Sequence, residues 1–473
     1  MRCLFGVAVL VVAQMVSAAD YAIENVSVIP MTFEGVQSNY TVVVSDGLIA
    51  EICQSSDSCG ADVKTVIDGS GKFLIPGLSD MHAHVAMSDF GDEVPPVMQK
   101  MALDSQRQRI LQYVLFGVTT IRDPAGVHSS LALRSDIEDG VKAGPRLFTA
   151  NVPMDGDPPL HPVTTPFATP EAAADFVRET ARSGYDMVKI YSTLPVPTFD
   201  AIMDTAQEEG IPVGGHVPMP VPFEYALKRG MRSIEHLSGY DMACAGEDAG
   251  LEPIMRDVYQ GWAYCTPERI AALAQLTAEY EVWVDPTLIV VEGVMTEYDR
   301  YTVIDEDQRK HIPPVMLSYD QYLYQIFPAI SRAGLEGTRA VRLAIVKALS
   351  DAGVPLLLGT DTLAAGYDVH QEMALMAEAG LTPYQILTAA TSEPARYFDR
   401  EGEFGTIVAG ASADLVLLDE NPLVDVGNAR AIAGVMLRGE WWSDERIADA
   451  YDGLQTEFAQ ARELLTQATG NSE

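Results

Sequence analysis

Between residues 73 and 402, short apolar runs alternate with helix-period segments, and no other feature constrains the fold as tightly. Eight runs read as strands: 74–84, 118–123, 146–150, 187–191, 212–217, 233–237, 282–288 and 355–361. Helical patterns fall between them, among them 170–183, 198–209 and 338–352, the last stopped by Ala352-Gly353-Val354-Pro355. Alternation of this kind demands parallel strands joined by helical crossovers. Eight such units closed into a barrel use about 250 residues or more. The expected class is α/β, with a (β/α)8 TIM barrel over 73–402.

The flanks read differently. Segments 21–30 and 40–53, the second broken by Ser45-Asp46-Gly47, look like β-structure. A β-rich segment returns at 406–407, 413–418 and 433–437. We expect 20–72 and 403–442 to pack together as a small β-sandwich domain, followed by a helical tail at 443–473 whose core, 444–465, is amphipathic. One connection, 291–338, is unusually long and rich in tyrosine, including Tyr298, Tyr301, Tyr319, Tyr322 and Tyr324. It follows a strand, so it reads either as a lid over the catalytic face or as a surface excursion. Its Arg309, Lys310 and Arg332 read either as plain surface charge or as a grip on a substrate carboxylate.

Charge excludes some partners. With 67 acidic against 31 basic residues, the formal net charge is −36. Such a surface repels nucleic acid and anionic membranes and favours solubility. Residues 1–19 carry Arg2, an apolar run at 4–13 and small residues at Val16-Ser17-Ala18-Ala19, the pattern of a cleaved secretory signal. The expected location is therefore secreted or periplasmic. Removing Cys3 with that leader leaves four cysteines. An oxidising compartment permits disulfides, and neighbourhood along the chain pairs Cys53 with Cys59 and Cys244 with Cys265. Four free thiols are the alternative.

The chemistry gathers at strand ends. His82 and His84 are two apart on one strand, so both face the same way. His216 ends the fifth strand, His236 the sixth and Asp361 the eighth. One histidine alone is ordinarily a satisfied structural residue. Four of the eight in the chain, each at the C-terminal end of a strand, fall where barrel enzymes place their chemistry. With the aspartate they form a nitrogen and oxygen set suited to zinc and related divalent ions. Lys189 lies inside the apolar run Met187-Val188-Lys189-Ile190-Tyr191. An unpaired ammonium there is costly. A strand-end lysine reaching a carboxylate is one reading; a lysine carboxylated by CO2, able to bridge two metals, is the other.

The order HxH, Lys, His, His, Asp resembles the binuclear branch of the amidohydrolase superfamily, nearest its imidazolonepropionase-like and prolidase-like members. Ile75-Pro76-Gly77-Leu78-Ser79-Asp80, Ala379-Gly380-Leu381-Thr382-Pro383, Gly405-Thr406-Ile407-Val408-Ala409-Gly410 and Ala413-Asp414-Leu415-Val416 resemble further family segments. The resemblance implies two divalent ions, zinc by default. His82, His84, N6-carboxylated Lys189 and Asp361 would hold the more buried one. Lys189, His216 and His236 would hold the second, with a hydroxide bridging both. Asp361 would move the proton from that nucleophile to the leaving nitrogen. Tyr191, two residues after Lys189 on the same strand face, reads either as assisting the scissile carbonyl or as core packing. The implied substrate is a small amide or peptide, such as a dipeptide or N-acyl amino acid, and the family often forms homo-oligomers.

Two departures stand out. Relatives often carry Ser-Gly-Gly or Thr-Gly-Gly after the bridging lysine, whereas this chain has Tyr191-Ser192-Thr193-Leu194-Pro195. Ser79 replaces a frequent isoleucine. Neither touches an expected ligand. Hydrolysis of an ester, lactone or phosphoester by the same centre is the alternative chemistry, and a metal-free scaffold the alternative class. A mononuclear deaminase fits less well, because that branch lacks the bridging lysine.

Overall fold

The computed structural model describes residues 19–57, 59, 62–85, 96–161, 163–246, 260–290, 306–317 and 338–469. The leader up to residue 18 and most of the 291–338 connection, with its tyrosines and Arg332, lie outside them. In chain order the strands are β1 (Ala19–Val28), β2 (Gln37–Ser45), β3 (Leu48–Gln54), β4 (Val63–Asp68), β5 (Phe73–Pro76), β6 (Leu78–Asp80), β7 (Val118–Asp123), β8 (Arg146–Thr149), β9 (Met154–Asp155), β10 (Thr165–Pro166), β11 (Val188–Ile190), β12 (Val213–Gly215), β13 (Ser233–Glu235), β14 (Trp283–Asp285), β15 (Leu415–Leu418), β16 (Ile432–Leu437) and β17 (Glu440–Ser443). Among the described residues no helix is long and apolar enough to cross a membrane.

The two ends of the chain do combine. They form one eight-stranded hydrogen-bonded sheet, ordered β17-β16-β15-β5-β1-β2-β3, with β4 also paired to β1. Its inner side carries a core of its own, including Ile23, Val42, Leu74, Leu415 and Met436. The expectation of short strands at 406–407 is not met, whereas β4 and β17 were not expected.

The expected first strand, 74–84, is divided. β5 belongs to the terminal sheet and β6 to the parallel layer, with the chain crossing between them at Gly77. A side chain at Gly77 would collide with Thr119, so the crossing requires glycine. His82 and His84 therefore stand just beyond a strand rather than within one.

In the parallel layer β6, β7 and β8 pair in order, as do β11, β12, β13 and β14. A bridge between Ala150 and Met187 joins β8 to β11, and one between Val284 and Leu356 follows β14. The Met81 N–H then donates to the Leu358 carbonyl at 2.8 Å. The expected strand 355–361 is reduced to that bridge and these bonds. Helices pack against this layer. Pro170–Ser183 begins at Thr169, whose side chain accepts from the Ala172 N–H, and stops at left-handed Gly184. The tail helix runs to Thr469. Within the long connection, 306–317 is fastened down: the Gln112 amide donates to the His311 carbonyl (2.7 Å) and the Gln455 amide to that of Lys310 (3.0 Å). Both expected disulfides are present, with Cα separations of 6.5 Å for Cys53–Cys59 and 4.8 Å for Cys244–Cys265.

Candidate metal centre

The six expected ligands converge at the C-terminal ends of the parallel strands. His84 Nε2 lies 2.7 Å from Asp361 Oδ1, and His82 Nε2 lies 3.8 Å from the same oxygen. His236 Nδ1 is 3.9 Å from Asp361 Oδ2. Ring centres are 4.6 Å apart for His82 and His236, and 4.9 Å for His216 and His236. His82, His84 and Asp361 each bring a ligand atom within 4.8 Å of the others, as do His82, Glu235 and His236. Lys189 is buried on β11, its amine against the Glu235 carboxylate, and its charge bears on His82, His216 and His236.

Local backbone places these groups. A side chain at Gly215 would run into the Ile190 carbonyl and the Lys189 stem, and Gly215 has φ of +134°. Only glycine leaves room beside the lysine. His236 and Asp361 both sit at positive φ, 61° and 53°. Such non-glycine backbone is costly and is held by its surroundings. Here the Asp361 N–H donates to the His82 carbonyl at 2.7 Å and the His236 N–H to that of Asp285 at 2.9 Å.

Fixed partners orient the imidazoles. His216 Nδ1 is 2.8 Å from the Ser192 hydroxyl and His236 Nδ1 is 2.6 Å from that of Thr287. His84 Nδ1 faces Asp123 at 3.6 Å. Burial pushes His236 down to about 3 and His216 well below its usual value. Burial also opposes charge on His84, but Asp123 and Asp361 outweigh it and raise the group to about 9. Asp361 is opposed by burial too, yet the hydrogen bond to His84 and the charge of that imidazole bring it to about 2. Desolvation lowers Lys189 to about 7, so neutral amine is available at physiological pH.

These residues fit divalent ions. Among the described residues, His82 Nδ1 and His216 Nε2 are buried without a hydrogen-bond partner, His82 Nδ1 facing Glu235 at 3.5 Å, while Lys189 Nζ is ion-paired with Glu235. Unsatisfied buried nitrogens are expensive, and a cation held there would satisfy His216 Nε2.

Several residues here were not anticipated. Glu235 is fully buried between Arg122 (3.0 Å), His82 Nδ1 (3.5 Å) and Lys189. Arg122 also pairs with Asp285 at 3.1 Å. A charged residue within an apolar strand was the available signal, the same one that drew attention to Lys189. His161 comes in from the connection between β9 and β10, its ring 5.9 Å from Tyr191, which in turn stacks on His216 at 4.1 Å. The Val163 N–H donates to His161 Nδ1, and burial lowers that imidazole to about 4. A neutral ring with its proton on Nε2 results. Nothing but its residue type marked it in the sequence. Lys310 pairs with Asp307 at 2.7 Å on a helix docked to the tail.

Known proteins carry the same plan. The amidohydrolase family model matches residues 73–442. The ochratoxinase of Aspergillus niger is 23% identical over 416 residues, covering 82% of this chain and 79% of its own. A solved Xaa-Pro dipeptidase with methionine in its active site aligns with a TM-score of 0.66 at 22% identity, over 89% of this chain and 99% of that one. A bottromycin amidohydrolase aligns at 0.71 and 23%, over 92% and 90%. At such identities the structural likeness establishes a shared fold, while the family match spans most of the length, and on that ground this chain belongs to the amidohydrolase family.

Proposed function

We propose that this protein is a secreted or periplasmic hydrolase that cleaves the C–N bond of a small amide, a dipeptide or an N-acyl amino acid, with a binuclear metal centre. The observation that carries this reading is the meeting of His82, His84, Lys189, His216, His236 and Asp361 at one mouth. The family match, and similar structures named as a Xaa-Pro dipeptidase and a bottromycin amidohydrolase, support it. The reading takes 73–402 as a closed (β/α)8 barrel, supported by the hydrogen bonds leading from β6 round to Leu358 and back to Met81. It takes 20–72 with 403–442 as a companion β-domain. Two disulfides and the leader-like 1–19 favour an oxidising compartment.

His82, His84 and Asp361 would hold the first ion and His216 and His236 the second, with Lys189 shared. Sharing requires Lys189 Nζ to form a bond to CO2 with loss of one proton, which its lowered affinity for protons assists. Ions held there, zinc by default, would supply Lewis acidity, lowering the pKa of water and polarising the scissile carbonyl. Asp361 accepts the proton of the attacking water and returns it to the leaving nitrogen. Tyr191 and the neutral His161 would donate to the carbonyl oxygen, a role that the stacking of Tyr191 on His216 and the nearness of His161 to Tyr191 support. Glu235 and Arg122 hold the floor beneath.

The test is a hydrolysis screen of zinc-loaded protein against dipeptides, N-acyl amino acids, esters and lactones. Free amino acid released from amides supports the reading. Turnover of esters or lactones alone would replace it with the esterase alternative.

A further inference from the structure

Two connections at the mouth meet at one buried carboxylate. Asp155, on β9, has no exposed surface. Its Oδ1 accepts the Thr193 N–H (2.7 Å), the Thr193 hydroxyl (2.8 Å) and the Gly156 N–H (2.9 Å). Its Oδ2 accepts the Leu160 N–H at 2.7 Å. Four donors converge on this carboxylate, three on Oδ1 and one on Oδ2.

Two of these donating residues adjoin a group that faces the site. Leu160 precedes His161. Thr193 follows Ser192, whose hydroxyl meets His216 Nδ1 at 2.8 Å and whose carbonyl accepts the Met219 N–H at 2.8 Å. With Nδ1 engaged, Nε2 is the nitrogen His216 has left for an ion. It is buried and without a partner among the described residues.

We propose that Asp155 is a positioning residue: it clamps the connections after β9 and β11 together so that Ser192 holds His216 with Nε2 towards the second metal ion. This rests on the binuclear reading above. The clamp acts on one half of the centre. His82, His84 and Asp361 receive no hydrogen bond from Asp155, Ser192 or Thr193. An imidazole that loses the group fixing its ring usually loses about 10–100-fold in metal affinity.

The experiment titrates metal-free, full-length protein with Zn2+ against a chromophoric chelator and resolves the two equivalents. Thermal melts of each variant check folding. Ser192→Ala is expected to weaken the second equivalent about 10–100-fold and leave the first within about twofold. Asp155→Ala, one link further out, is expected to weaken the second about tenfold. Asp155→Asn keeps one good acceptor and recovers part of the loss. If wild-type protein takes fewer than two equivalents, the binuclear reading fails and the clamp with it. If wild type takes two and folded Asp155→Ala takes both with unchanged affinity, or loses both equally, the clamp alone is overturned. Should Asp155→Ala not fold, Thr193→Val joins Ser192→Ala, and an unchanged second affinity in both overturns the proposal.

Discussion

On one side of the mouth the imidazoles answer to carboxylates; on the other they answer to hydroxyls. His84 lies between Asp361 and Asp123, and His82 beside Glu235. His216 and His236 are held through Nδ1 by Ser192 and Thr287. The consequence is electrostatic. His84 is raised to about 9 and carries a proton at neutral pH, whereas burial keeps His236 near 3 and His216 low, both neutral. Without metal, His84 and Asp361 of the first half form an ion pair, while burial keeps His82 neutral beside them. The second half is a pair of neutral rings already turned for coordination. A metal entering the first half must displace a proton, and one entering the second need not.

The largest effect should follow from breaking the carboxylate side at its centre. Asp361→Asn keeps the fold and most of the bound metal, and lowers kcat about 10²–10⁴-fold, the range for losing a positioned acid–base group. Steady-state kinetics beside metal analysis check this; near-normal turnover would remove Asp361 from proton transfer. Next is Lys189→Ala, which should lose the second ion while the first is retained. Metal content by mass spectrometry reads the outcome directly, and an unchanged content would show that the lysine is no bridge.

On the hydroxyl side, Thr287→Val preserves shape and removes the bond to His236 Nδ1. The second ion should bind about 10–100-fold more weakly. An equal loss at both ions would mean that the two sides are not separable. The smallest effect is also the sharpest comparison. His84 is protonated at pH 7 and must give up that proton, so affinity for the first ion rises with pH until about 9 and then levels. Calorimetry in two buffers of different ionisation heat should show about one proton from His84 with the first ion and none from His216 or His236 with the second.

The carboxylate and hydroxyl sides were unequally legible from the sequence. His82, His84, His216, His236 and Asp361 announced themselves because each closes a predicted strand. Their partners did not. Glu235 adjoins His236, and strand alternation puts neighbours on opposite faces. The positive φ of His236 breaks that alternation and lets both enter the mouth. Asp155 matters through Thr193, 38 positions away, and no local pattern records such a contact. Among the fold elements, β7 and the helix Pro170–Ser183 match their expected limits because period and caps are local. The first strand was expected whole, since nothing in an apolar run shows that Gly77 passes it from one sheet to another. The last one was expected as a regular strand, yet Asp361 turns out of it at φ of 53°.

The central claim is that this mouth holds two ions, one on each side of the comparison. Anomalous diffraction at the zinc edge from crystals of zinc-loaded protein tests it most directly. Two peaks per chain are predicted, one among His82, His84 and Asp361 and one between His216 and His236, with density joining both to a carboxylated Lys189. A single peak, or a lysine still paired with Glu235 and remote from the metal, would contradict it.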